Sequence, residues 1–221
     1  MKVPITRLKK DELVKLAGIR CKHGHTLLEH YQCYEGAKER IGFFDIETSN
    51  LDANFGLILS YCIKDSDSDK IYQDVISLKD IKSGTAGDED RRVVESCVED
   101  MKKFTKLVGY YSTKFDIPFV RTRAVSLGIE FPDFGVIKHQ DIYYLVKSRF
   151  KLNSNRLENA CRVLLGETDK TKIEYKYWRG GMRGDPKSLA YILEHNKYDV
   201  LDLEKLYHKV IQYARPQEKS M

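Results

Sequence analysis

The chain has 221 residues, 42% of them hydrophobic, and a formal net charge of +5. That is enough to bury one sizeable core with an appendage, and the charge mildly favours a polyanionic partner such as nucleic acid. No segment approaches the ~20 consecutive apolar residues of a membrane span, and no apolar core follows the Lys-rich N-terminus as a secretory signal requires. Five scattered cysteines, Cys21, Cys33, Cys62, Cys97 and Cys161, argue against a disulfide framework and for a reducing compartment, so a cytoplasmic protein without a membrane partner is expected.

Residues 1–40 form an N-terminal extension of different character. Asp11 is placed to cap a helix over 11–17, with Gly18 as its stop. The next stretch packs Cys21, His23, His25, His30 and Cys33 into a short span. Cys21, Cys33 and His30 with either His25 or His23 would supply four zinc ligands in a knuckle-sized cluster, although the spacing matches no common finger. A His-rich turn without metal is the alternative.

The segment 41–48, IGFFDIET, reads as a buried strand. Strand residues two apart share a face, so Asp45 and Glu47 point the same way. Side by side in a core they repel each other and need a compensating cation, a divalent metal or a Lys/Arg; at a strand end both would instead meet solvent. Segments 55–64 and 70–77 are apolar and β-branched around the polar 65–69, a hairpin that brings the count to three consecutive strands. After a break at 84–87, apolar residues recur at helical spacing over 88–106. A short strand over 107–111 and a helix over 116–127, with Pro118 in its first turn and Gly128 as its stop, come next.

A strand over 136–142 and helices over 143–149 and 156–165 follow. The polar, Gly-rich stretch 167–185 reads as a loop carrying Trp178, Arg179 and Arg183. The last helix runs from 186 to about 207, with Leu189, Ile192, Leu193, Asn196, Val200, Leu203 and Tyr207 as its stripe, and the tail after Arg215 is expected to fray. Three strands followed by alternating helices and strands give an α/β domain with a mixed sheet flanked by helices over 41–215.

Two later elements carry acids in suggestive places. Asp116 sits where a strand and a short loop feed a helix, the end of a sheet at which ligands gather in α/β folds. His195 and Asp199 are four apart and so share a helix face, one that borders the apolar stripe; a solvated pair is the alternative.

Asp45 and Glu47 in FFDIET, Phe115-Asp116 in YYSTKFDIPF, and His195 with Asp199 in HNKYDV stand in the order of the DEDD superfamily of 3′–5′ exonucleases. The chain resembles this ribonuclease-H-like group over about residues 41–210, and the histidine places the resemblance with the DEDDh branch. One departure is Tyr111, where relatives usually carry Asn. The resemblance implies a ribonuclease-H-like fold and two Mg²⁺ or Mn²⁺ ions held by Asp45, Glu47, Asp116 and Asp199. Hard oxygen ligands suit these ions, and two of them ~3.5–4 Å apart stabilise the attacking and leaving oxygens of phosphodiester hydrolysis. His195 would take the proton of the attacking water.

Around this site the backbone at Thr48 and Ser49 is expected to touch the terminal nucleotide. Phe115 would stack on a base or serve the core. Arg179 and Arg183, with Trp178, would grip phosphates or simply line a solvated loop. Asp141, near a strand end, ranks second to Asp199 because Ile137, and no base, lies four residues before it. The expectation is therefore a metal-dependent 3′–5′ exonuclease acting on nucleic acid, DNA rather than RNA and at single-stranded 3′ ends. It would carry no polymerase domain of its own and would work alone or with a separate polymerase or processing complex. Rivals are a structure-selective endonuclease on the same fold, a non-catalytic nucleic-acid-binding module, and a phosphatase or nucleotide hydrolase using the same metals.

Overall fold

The computed structural model describes residues 39–85, 87–168 and 174–214. The expected helix over 11–17, the zinc set of Cys21, His25, His30 and Cys33 with its alternative His23, and the tail after Arg215 lie outside these residues.

Five strands form one sheet: β1 (Ile41–Thr48), β2 (Ile58–Asp65), β3 (Ile71–Val75), β4 (Lys106–Gly109) and β5 (Lys138–Asp141), in the order β3-β2-β1-β4-β5. β2 and β3 pair antiparallel, as the hairpin pattern predicts, and β1 pairs antiparallel with β2, while β1–β4 and β4–β5 are parallel. The sheet is therefore mixed, and all eight residues of β2 are buried because helices cover both of its faces.

Alternation along β1 sorts its side chains between two cores. Phe44 and Ile46 enter one cluster with Tyr61, Ile63 and Leu107; Phe43 enters the other with Cys62 and Val108. By the same period of two, Asp45 and Glu47 share the face of Phe43.

The helices are α1 (Leu78–Ser83), α2 (Arg91–Met101), α3 (Asp116–Ser126), α4 (Ile142–Arg149), α5 (Leu157–Leu164), α6 (Tyr175–Gly181) and α7 (Pro186–Val210), followed by a 3-10 turn (Ile211–Tyr213). Val94, Cys97 and Val98 of α2 and Phe119, Val120 and Ala124 of α3 fill the first core. Ile142 and Val146 of α4, Ala160 and Cys161 of α5, and Val200 to Val210 of α7 fill the second. α7 changes core along its length: Leu189 and Ile192 belong to the first, Val200 and Leu203 to the second. His195, Asn196 and Asp199 occupy the stretch between them.

Two elements depart from the sequence reading. The stretch 167–185, read as a loop, contains α6. A Cβ at Gly180 would stand 2.1 Å from Ser188 Oγ, and one at Gly181 would stand 2.6 Å from Ile192 Cδ1. The two glycines thus let α6 lie directly on the first turns of α7, and tertiary packing overrides their poor helix propensity. The six-residue α1 went unread; a capping box in which Ser77 and Asp80 bond each other's backbone N–H starts it. Among the described residues no helix is long and apolar enough to cross a membrane.

Candidate active site

β1 pairs with β4 only over Ile41 to Phe43. Beyond that point the β4 side of β1 is open, because the chain turns away after Gly109 toward α3. The exposed ladder group at Ile46 finds a substitute acceptor: its N–H donates to Asp116 Oδ1 at 3.1 Å. Asp116, the first residue of α3, is thereby drawn to the strand that carries Asp45 and Glu47.

From the other side α7 brings three buried side chains, His195, Asn196 and Asp199. Asn196 Nδ2 donates to Asp45 Oδ2 at 2.5 Å. Glu47, His195 and Asp199 each present a ligand atom within 4.8 Å of the other two. Glu47, His195 and Asp199 therefore meet where β1 ends in the bulge between Glu47 and Thr48, while Asp45 and Asp116 lie outside that group of three and are tied to α7 and β1 by the hydrogen bonds above.

The electrostatics are those of an acidic group that could hold a cation. Burial pushes the Asp116 carboxyl up to about 7; N–H bonds from Ile46 and from its own backbone oppose the shift, and the nearby carboxylates of Asp141 and Asp199 add to it. The Cys62 thiol, paired across from Asp45, is raised by burial and then by Asp45, Glu47 and Asp199, while Lys197 opposes. One negative field thus spans residues from three elements. Clustered carboxylate oxygens suit a hard divalent cation, and Asn196 Oδ1, fully buried and accepting no hydrogen bond among the described residues, adds an oxygen donor beside them.

The remaining predicted residues are placed as follows. The Thr48 hydroxyl donates to Asn50 O at 2.7 Å, and Ser49 Oγ accepts from Leu57 N at 2.8 Å, so both hydroxyls hold the β1–β2 turn. Phe115 is half-buried against the first core with its ring 5.7 Å from that of Phe119, the core alternative of its two readings. Arg179 lies exposed on α6 and Arg183 exposed in the turn behind it, while Trp178 packs on the first core; the three are parts of a helix and its end rather than of a loop.

Asp141 is the N-cap of α4, accepting from Tyr143 N at 3.0 Å, and it also accepts from Tyr111 N at 2.8 Å and Thr113 N at 2.9 Å. It clamps the loop that leads to Asp116. Asn196 was not singled out from sequence as a site residue. Its signal was its place, a polar side chain in the apolar stripe of the last helix.

The RNase_H superfamily model matches residues 42–211. The uncharacterized protein YprB of Bacillus subtilis (strain 168) is 25% identical over 186 residues, which is 77% of this chain and 41% of YprB, so the chain spans well under half the length of that relative. The structure of the family B DNA polymerase from the hyperthermophilic archaeon Pyrobaculum calidifontis superposes with a TM-score of 0.62 at 22% identity, covering 78% of this chain and 24% of the polymerase. At that identity the likeness is one of fold.

Proposed function

The chain belongs to the RNase_H superfamily, and from that premise we propose that it is a metal-dependent 3′–5′ exonuclease of the DEDDh type acting on single-stranded DNA ends. The observation that carries this reading is the convergence of Glu47, His195 and Asp199 within 4.8 Å, beside Asp45 held by Asn196 and Asp116 held by the Ile46 N–H. DNA is taken as the first substrate to test, with RNA beside it. A separate polymerase or processing complex would be its partner.

Two Mg²⁺ or Mn²⁺ ions held by Asp45, Glu47, Asp116 and Asp199 would supply the positive charge that stabilises the attacking and leaving oxygens. The residues do the rest. His195, buried among carboxylates, accepts the proton that the attacking water gives up as its oxygen bonds to phosphorus. The bond from phosphorus to the 3′ oxygen of the preceding nucleotide breaks, and that oxygen leaves as a hydroxyl after taking up a proton. Asn196 fixes the rotamer of Asp45, and the Ile46 N–H fixes that of Asp116, so the acids are aligned before substrate arrives.

The test is time-resolved digestion of 5′-labelled single- and double-stranded DNA and RNA with Mg²⁺, Mn²⁺ or EDTA, comparing the wild type with Asp199→Ala. A metal-dependent ladder shortening from the 3′ end, absent in the variant, is expected. Discrete internal cuts would instead make the protein an endonuclease. Binding without cleavage of any substrate would overturn the catalytic reading.

A further inference from the structure

The loop that leads from β4 to Asp116 carries a feature with no role in the chemistry above. Tyr111 has φ +64°, alone among the described non-glycine residues in the left-handed region. That conformation costs a bulky side chain about 1–2 kcal/mol and suits glycine or asparagine better. The strain is held in place from outside: Asp141 accepts the N–H groups of Tyr111 and Thr113, and the turn closes with Lys114 N and Phe115 N bonded to Tyr111 O at 3.0 and 3.2 Å. Backbone strain that the surroundings enforce gathers at ligand clamps.

What the strain presents is a ring. Tyr111 is 46% exposed, and it meets Tyr143 edge-to-face with centroids 4.9 Å apart. Tyr143 is braced in turn by Tyr110 at 5.8 Å and by Tyr144 at 5.2 Å, and Tyr144 is 40% exposed. An edge-to-face contact occupies at most one face of a ring, so Tyr111 and Tyr144 each keep a face clear of these ring contacts. Lys147 brings its ammonium 5.6 Å from the Tyr143 centroid, one helical turn from Tyr143 and Tyr144. Open aromatic faces beside a cation are the two halves of a site for unpaired nucleic acid: bases stack and a phosphate meets the charge.

We propose that Tyr111 and Tyr144, braced by Tyr143 and flanked by Lys147, form a ledge on which an unpaired base of a single-stranded substrate stacks while the adjoining strand reaches the acidic site. This rests on the nuclease reading for the identity of the ligand. Tyr111 and Asp116 stand at the two ends of one tight turn, so a base held against Tyr111 lies beside the loop that carries the acid. A duplex offers no free base to the ledge, and the site therefore selects single strands or frayed ends.

The test combines variants with abasic substrates. Binding of fluorescein-labelled single-stranded DNA is measured by anisotropy in EDTA, and KM and kcat in Mg²⁺ or Mn²⁺, for the wild type, Tyr111→Ala, Tyr144→Ala and Tyr111→Phe. The oligonucleotides carry an abasic residue at each of the last few positions in turn. The alanine variants are expected to bind about 5- to 100-fold more weakly and raise KM rather than lower kcat, while Tyr111→Phe stays within about twofold of the wild type.

One abasic position should weaken the wild type by a similar factor and leave the alanine variants unaffected, a coupling that a merely structural tyrosine does not produce. Should Tyr111→Ala not fold, Tyr144→Ala on the exposed side of α4 carries the test. Unchanged binding in both alanine variants, or an abasic penalty that persists in them, overturns the ledge even if the protein cleaves. Retention of the abasic coupling by a protein that cleaves nothing supports the ledge and removes the nuclease reading instead.

Discussion

Asp90 and Asp116 each stand at the start of a helix, are buried, and accept a backbone N–H from a sheet strand, Ile58 N at 2.9 Å in one case and Ile46 N at 3.1 Å in the other. Their neighbours differ in sign. Arg123 forks onto Asp90, with Nε 3.0 Å from Oδ2 and Nη2 2.5 Å from Oδ1, and Nη2 also reaches Gly87 O at 2.7 Å. Around Asp116 stand the carboxylates of Asp141 and Asp199. Burying a charge is costly unless something opposite compensates it. At Asp90 the protein supplies the opposite charge itself, and the group ties α2, α3 and β2 together. At Asp116 the neighbouring groups are acidic, and the carboxyl answers by holding its proton up to about pH 7, a place that a cation could take.

The largest effect expected from this contrast is on cleavage. Asp116→Asn keeps an acceptor for the Ile46 N–H and removes the charge, so nuclease activity should fall on the order of 10³-fold or more, while urea unfolding of the metal-free protein shows no loss of stability. Asp90→Ala should do the reverse. It strands a buried guanidinium and should destabilise the fold by about 3–5 kcal/mol, with cleavage per folded molecule little changed. Loss of stability on Asp116→Asn as large as that on Asp90→Ala would erase the distinction.

A smaller effect concerns pH and metal. The Asp116 carboxyl is raised from 3.8 to about 7, so the folded protein holds this proton over a range in which the unfolded chain has lost it. For such a group stability is complete below the ordinary carboxylate range, declines as pH rises toward 7, and is flat above. In EDTA the wild type should therefore lose on the order of 2–4 kcal/mol from this group between about pH 4 and pH 7, and Mg²⁺ or Mn²⁺ at neutral pH should return much of it. Thermal melts across pH with and without the cation measure both. In Asp116→Asn the pH slope and the cation response should each shrink, whereas Asp90→Ala should leave the cation response in place.

How much of this contrast the sequence carries follows from the range of each interaction. Asp45 with Glu47, two apart on a strand, and His195 with Asp199, four apart on a helix, are legible because backbone periodicity alone fixes a shared face. The mixed sheet follows from the hairpin and the alternation that comes after it, whereas the strand order β3-β2-β1-β4-β5 shows only in the fold. Asp90 and Arg123 lie 33 residues apart, with no local pattern to join them, and their pairing exists only once α2 and α3 lie together. The helix α6 is hidden for a related reason: Gly180 and Gly181 read as loop residues until Ser188 and Ile192 are set against them. Asp141 reads as a spare acid at a strand end, and only the fold shows its carboxylate shared among three N–H groups.

Asn196 lies between these cases and gives the smallest effect. Its position in the apolar stripe is visible in the sequence; its partner Asp45, 151 residues away, is not. The amide donates to a carboxylate proposed to hold the cation, which is the role of the outer groups that orient metal ligands, and loss of such a group typically weakens metal binding 10- to 100-fold. Asn196→Ala should therefore raise the Mn²⁺ dissociation constant by about that factor in calorimetry or electron paramagnetic resonance. Stability should change little by comparison, because the substitution removes a charge-assisted hydrogen bond and, with it, a buried Oδ1 that has no donor among the described residues. Unchanged Mn²⁺ affinity with a large loss of stability would mean that Asn196 serves the core in the manner of Arg123, and that Asp45 needs no help to face the cation.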